Sequence, residues 1–295
     1  MEFHQPDSVA EALEIKAAQP DAVPIAGGTD VMVELNFDRH RPVALIDLTR
    51  IAELADWSTQ SDPTKGGTSV RIGAAVTYTR IISELGDRLP GLAMASRTVG
   101  SPQIRNRGTV GGNLGAASPA GDSHPALLAA DTVVEVASVR GRRDIAIGDF
   151  YLGVKRNALE PDELITAIRI TPPSGPQQFC KIGTRNAMVI AVSAFGLALH
   201  PDRAAVGTGI GSAAPTPRRA PEAEMFLAET LTEQHLWQTR RELPDSVARE
   251  FGRLVAAATA PIDDVRGSAA YRLHSLSVMA RRAAGWAWND YRKAA

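Results

Sequence analysis

The chain has 295 residues, 44% of them hydrophobic and 22% charged, with a formal net charge of −1. That length suits two domains of ordinary size, and that balance belongs to a globular chain. The near-neutral charge argues against a general binder of nucleic acid or anionic membrane, and no apolar run approaches the roughly 20 residues that span a bilayer. Met1-Glu2-Phe3-His4-Gln5-Pro6 has no basic stretch followed by an apolar one, so a cytoplasmic location is expected. Cys180 is the only cysteine, which leaves no internal disulfide, four-cysteine zinc site or iron–sulfur cluster on this chain. A small, buried, apolar role is expected for it.

Val9, Leu13 and Ala17 fall on one side of a helix over 8–18, capped by Asp7 or Ser8. Val23 to Ala26 reads as a strand, Val31 to Phe37 as a short helix and Val43 to Leu48 as a second strand. This βαβ-like opening predicts a small parallel layer. A turn over Ser61 to Gly67 leads into a strand over Ser69 to Ala74. Helices are expected over 79–85, 91–98 and 126–130, and strands over 132–139, 144–147 and 164–170. Pro172-Pro173-Ser174-Gly175-Pro176 stops any element and is the best domain boundary. Beyond it, Phe179 to Lys181 and Ile190 to Leu199 read as strands. Helices follow over 222–228, 246–258 and from about Ala269. The pairs Arg218-Arg219, Arg240-Arg241 and Arg281-Arg282 read as solvated helix faces.

Two glycine turns carry the chemistry. The first is Ala26-Gly27-Gly28-Thr29-Asp30, between a strand and a helix whose N-terminus would face an anion. The second is Thr109-Val110-Gly111-Gly112-Asn113, preceded by Arg105-Asn106-Arg107-Gly108. Paired glycines allow close backbone approach and positive φ, and successive N–H groups form an anion-binding nest. Either turn alone also reads as ordinary chain reversal, the second as a solvated basic loop. Together they suit the two phosphates of a dinucleotide. Neither is a P-loop or a Rossmann fingerprint, because the lysine and the G-x-G-x-x-G spacing are missing. Gly209-Ile210-Gly211-Ser212-Ala213-Ala214 fits G-x-G-x-x-A, but Pro215 and Pro217 follow, so it reads as a strand end and loop. Asp122 reads as a ribose or ring ligand, or, with Ser123, as a cap for a helix at Pro125. Lys181 suits charge stabilisation beside a flavin, or an exposed sheet edge, with Arg185 on the same strand. The six histidines show no metal-ligand spacing, and Trp286 and Trp288 suit core or interface alike.

In this order and spacing, the two turns resemble the FAD-binding (medium) subunit of the molybdenum hydroxylases. That group contains xanthine dehydrogenase and aerobic carbon monoxide dehydrogenase. Also carrying the resemblance are Ser118-Pro119-Ala120-Gly121-Asp122, Asp162-Glu163-Leu164-Ile165, Lys181-Ile182-Gly183-Thr184-Arg185 and Asp263-Asp264-Val265-Arg266-Gly267-Ser268-Ala269-Ala270-Tyr271-Arg272. It covers essentially the whole chain. Val110 stands where many relatives carry isoleucine, a small change.

The resemblance implies an α+β fold shared with the vanillyl-alcohol-oxidase and p-cresol-methylhydroxylase flavoproteins. Residues 1–172 would form the FAD-binding domain, with subdomains of about 1–55 and 56–172 holding FAD between them. Residues 177–295 would pack a three-stranded antiparallel sheet on helices. Backbone amides at Ala26, Gly27, Gly28, Thr29 and Asp30 and at Thr109, Val110, Gly111, Gly112 and Asn113 would grip the pyrophosphate. Asp122 would bond the adenosine or flavin end, with Leu164 and Lys181 near the flavin. No histidine lies in either turn, so FAD would be non-covalent, and no metal is expected on this chain.

The implied activity is that of an oxidoreductase subunit. A large subunit with a molybdenum cofactor oxidises substrate, and a small subunit with [2Fe–2S] clusters relays electrons. FAD here passes them to NAD⁺, a quinone or oxygen, in a dimer of heterotrimers. Gly153-Val154-Lys155-Arg156-Asn157-Ala158-Leu159 is closer to xanthine-type enzymes than to carbon monoxide dehydrogenases. Two rivals remain: a stand-alone flavoenzyme such as the reductase of cell-wall precursor synthesis, and an assembly module that has lost FAD. The Asp264–Arg272 segment does not resemble the first, and intact glycine turns argue against the second.

Overall fold

The computed structural model describes residues 1–39, 41–61 and 67–294. The chain divides into two compact units. The first comprises residues 1–83, 100–118 and 132–171, and the second residues 84–99, 119–131 and 172–295. The expected turn over 61–67 falls largely outside the described residues.

The first unit carries strands β1 (Glu2–His4), β2 (Val23–Ile25) and β3 (Ala44–Asp47), then β4 (Trp57–Ser61), β5 (Thr68–Gly73), β6 (Val133–Ser138) and β7 (Gly141–Ala146). The hairpin β8 (Tyr151–Gly153) and β9 (Arg156–Asn157) follows, and then β10 (Leu164–Ile170). The first three form the expected parallel layer, in the order β1-β3-β2. Five others form an antiparallel sheet, β4-β5-β10-β6-β7. Helix Val9–Ala18 begins at Ser8, whose side chain accepts from the Glu11 N–H. Its apolar side meets the parallel layer in a cluster with Ala12, Ile46, Leu54, Ala137 and Leu164.

In the second unit β11 (Gln177–Ile182), β12 (Ser193–His200) and β13 (Ala205–Gly211) form a three-stranded antiparallel sheet. Helices Pro221–Glu233, Asp245–Ala257 and Ala269–Lys293 build its main core. Phe195 meets Phe251 edge-on at 6.2 Å, and Trp237 meets Trp288 at 5.5 Å. Trp288 is 1% exposed and Trp286 49%, so one tryptophan of the pair is core and the other surface. No helix among the described residues is long and apolar enough to cross a membrane.

The mixed α+β architecture and the three-stranded C-terminal sheet are as expected. Several side chains are not where simple patterning put them. Lys181 is no exposed edge residue, because helix Pro90–Arg97 packs on edge strand β11 and covers it. Arg185 lies past the strand, donating to the Met188 carbonyl. Arg218 and Arg219 are on no helix face. Arg218 bridges to Ile210, and Arg219 forks onto Glu224 and pairs with Asp131. Ser123 holds the cap position of helix His124–Ala129 without a capping bond. Gly209 ends in sheet, and its backbone meets the Pro125 carbonyl. Cys180 is half-buried against the apolar core, which lifts its thiol pKa to about 11 and leaves it neutral.

Candidate functional site

The two glycine turns meet backbone to backbone within the first unit. A Cβ on Gly27 would stand 1.8 Å from the Arg107 carbonyl oxygen, so only glycine permits this approach. Gly28 has φ +75°, the left-handed region that L side chains rarely adopt. Among the described residues no acceptor takes the N–H of Gly27, Gly28, Thr29 or Asp30. Four consecutive donors on a glycine turn form an anion nest.

The second turn is differently employed. Gly111 donates to the Ala74 carbonyl at 3.0 Å and Val110 to Val76 at 3.4 Å. Gly112 donates to Thr109 Oγ1 at 3.0 Å, and Asn113 to the Thr109 carbonyl at 3.1 Å. These four N–H groups therefore serve the fold first. Thr109 caps helix Val110–Ala116 and bridges to Thr77, while the Tyr78 N–H holds the Gly108 carbonyl at 3.0 Å. Arg107 is exposed and makes no hydrogen bond or ion pair through its side chain among the described residues. The β8–β9 hairpin ties to the helices that follow both turns, a role sequence reading missed. Lys155, at φ +54°, pairs with Glu34 at 2.6 Å, and Asn157 Nδ2 donates to the Gly115 carbonyl at 2.9 Å. Its only signal was a glycine followed by a lysine and an asparagine at turn spacing.

Leu164 is buried in the first unit's apolar cluster. Asp122 and Lys181 meet within the second unit. Lys181 Nζ lies 2.6 Å from Asp122 Oδ2 and 3.1 Å from the Thr98 carbonyl. The side chains are 10% and 8% exposed. Burial raises the Asp122 pKa to about 6, and the Lys181 ammonium opposes the rise. Asp122 Oδ1 is buried with no hydrogen-bond donor among the described residues.

The family described as FAD binding domain in molybdopterin dehydrogenase matches residues 1–173. The CO dehydrogenase flavoprotein C-terminal domain matches residues 178–287. The nicotinate dehydrogenase FAD-subunit of Eubacterium barkeri is 36% identical over 70% of this chain and 71% of its own. The putative xanthine dehydrogenase FAD-binding subunit of Escherichia coli is 32% identical over 95% and 93%. The reconstituted CO dehydrogenase from Oligotropha carboxidovorans has a chain with a TM-score of 0.86 and 30% identity, covering 98% of each.

Proposed function

The chain belongs to the family of FAD-binding domains in molybdopterin dehydrogenases, and we propose that it is the electron-transfer subunit of such a complex. In this reading it takes electrons from [2Fe–2S] clusters on a small partner subunit and passes them to NAD⁺ or a quinone. A large partner subunit oxidises substrate at a molybdenum cofactor. The assembly is a cytoplasmic dimer of heterotrimers. The domains are residues 1–172 and 177–295.

One observation carries the reading: the open N–H row from Gly27 to Asp30, on a turn whose Gly27 sits against the backbone at Arg107. FAD fits these residues, since its pyrophosphate is an anion with oxygens for such donors. When bound, it supplies a centre that accepts electrons from one donor and yields them to another. The protein's part is binding and orientation. The Gly27–Asp30 amides would hold one phosphate. Arg107 offers a side-chain donor beside the second turn, and Thr109 keeps that turn in shape. Asp122 Oδ1 would accept a hydrogen bond from the cofactor, and Lys181 would stabilise negative charge on it. Leu164 would supply apolar packing.

We assign the complex to N-heterocycle oxidation of the xanthine type. Support comes from the sequence of the Gly153–Leu159 stretch, which resembles xanthine-type enzymes more than carbon monoxide dehydrogenases. Carbon monoxide oxidation is the alternative. The complex should be purified, its acid-released cofactor identified and its metals measured. Turnover of xanthine and of carbon monoxide should then be compared with NAD⁺ and with a quinone. FAD with molybdenum and iron on co-purifying chains is expected. Absence of flavin after incubation with excess FAD would refute the central claim. Full turnover by this chain alone would favour a stand-alone flavoenzyme.

A further inference from the structure

Arg272 is 3% exposed and belongs to the last of the sequence motifs, Asp263–Arg272, to which FAD binding assigns no role. Its Nη1 donates to the Val192 and Ser212 carbonyls, at 2.5 Å each. Its Nη2 donates to Asp264 Oδ1 at 2.6 Å. Asp264 is itself fixed. It accepts the Arg266 N–H at 2.8 Å and pairs with the Arg266 guanidinium at 2.8 Å. Asp264 and Gly267 exchange two backbone bonds at 3.2 Å. Asp263 Oδ1 accepts the Ala269 N–H at 2.6 Å, anchoring the start of the last helix. The motif thus folds into a clasp around one guanidinium, whose planar fork suits three acceptors at once.

The two carbonyls that Arg272 grips lead to one place. Ser212, held at φ +61°, donates its N–H to the Pro119 carbonyl at 2.8 Å, three residues before Asp122. Val192 donates its N–H to the Ile182 carbonyl at 2.7 Å, next to Lys181. Each gripped residue therefore fixes the backbone beside one member of the Asp122–Lys181 pair. All of these residues lie in the second unit.

We infer that Arg272, braced by Asp264, is a positioning residue that sets the Asp122–Lys181 contact through Ser212–Pro119 on one side and Val192–Ile182 on the other. Its consequence for the cofactor rests on the function proposed above, but the tie itself does not. Lys181 is the charged group acting on Asp122 among the described residues, and Thr98 is the other polar neighbour. A loosened contact removes the charge that opposes burial, so the Asp122 pKa should rise from about 6.

The test compares wild-type holo-complex with Arg272→Lys, Asp264→Asn and Asp122→Asn. Arg272→Lys keeps the charge but not the fork. Asp264→Asn keeps the guanidinium and removes its brace. Hydrogen exchange should quicken at least tenfold at the Ser212 and Val192 amides in the first two variants, with first-unit sheet amides unchanged. Flavin absorbance titrated from pH 5 to 8 should show a transition near pH 6 that Asp122→Asn removes. Arg272→Lys should move it upward by about one pH unit, which a merely structural residue would not do. Unchanged exchange at both amides, or an unmoved transition, overturns the inference. Faster exchange at both amides with no Asp122-dependent transition in wild type supports the tie and refutes the pair's place at the flavin.

Discussion

Substituting Gly27 by alanine tests the contact between the two turns. The new methyl would lie 1.8 Å from the Arg107 carbonyl oxygen, 2.4 Å from its carbon and 2.9 Å from the Gly108 nitrogen. Non-bonded heavy atoms settle at about 3.5 Å, so the turns must part by roughly 1.5 Å. All three obstacles are backbone atoms, and the Tyr78–Gly108 bond and the Thr77–Thr109 bridge pin them, so no side chain can swing aside. Overpacking of this kind costs about 1–3 kcal/mol. The same displacement turns the Gly27–Asp30 amides. Losing even one hydrogen bond to a charged oxygen, about 1.5–3 kcal/mol, weakens FAD binding at least tenfold. Gly115→Ala is the control. Its Cβ would meet nothing within 4 Å inside helix Val110–Ala116, so it should stabilise by about 0.5–1 kcal/mol. Urea unfolding with and without FAD, together with a fluorescence titration of FAD, measures both effects. A Gly27→Ala protein with an unchanged urea midpoint and FAD affinity within about twofold of wild type would refute the reasoning.

The Asp122 pKa of about 6 stands above the usual 3.8 because of burial. Between those values the unfolded chain has lost the proton that the folded chain keeps. Stability should therefore fall as pH rises from about 4 to 6, by up to about 3 kcal/mol. Asp122→Asn should flatten that slope in urea midpoints, and parallel curves would count against it. Glu163 is buried and forked by Arg143 at 2.7 Å, which holds its carboxyl below the usual range. Its contribution is full above the unfolded carboxylate pKa and is lost as pH falls through the lowered one. With the arginine partly solvent-screened, Arg143→Ala should cost about 1–2 kcal/mol at pH 7 and progressively less in acid. A pH-independent cost in the same urea series would count against the pairing. Trp288→Ala should cost about 3–5 kcal/mol through the lost core contacts with Trp237 and Tyr291, whereas Trp286→Ala should stay within about 0.5 kcal/mol. Equal thermal shifts would contradict that division.

Local rules were legible where local physics decides. Ser8 caps the first helix, hydrophobic alternation marks β6, and the prolines after Thr171 end the first unit's last segment. Illegible were features set by distant chain. Lys181 looks like an edge lysine until helix Pro90–Arg97 covers β11. Arg219 looks solvated until Asp131 and Glu224 arrive beside it. The Arg272 clasp was visible as a motif, but its partners Val192 and Ser212 lie 80 and 60 residues away. Such ties have no period or spacing to reveal them.

The glycines themselves show why a motif and its mechanism need separate arguments. Both turns read as anion nests, yet among the described residues only the first leaves a run of consecutive amides open, Gly27 to Asp30. In the second turn Gly111 lets helix Val110–Ala116 sit against strand-end backbone, since a Cβ there would lie 2.6 Å from the Ala74 carbonyl oxygen. Gly27 likewise serves contact between turns, and only Gly28 is demanded by its own φ. The glycine-rich sequences thus encode chiefly how closely two backbones approach. What that approach leaves unsatisfied among the described residues is the row of four N–H groups in the first turn, Gly27 to Asp30. A substitution that spares those atoms but separates the backbones should therefore damage cofactor binding as much as one that removes a donor. Gly27→Ala is the variant that parts the backbones while every donor atom stays on the chain.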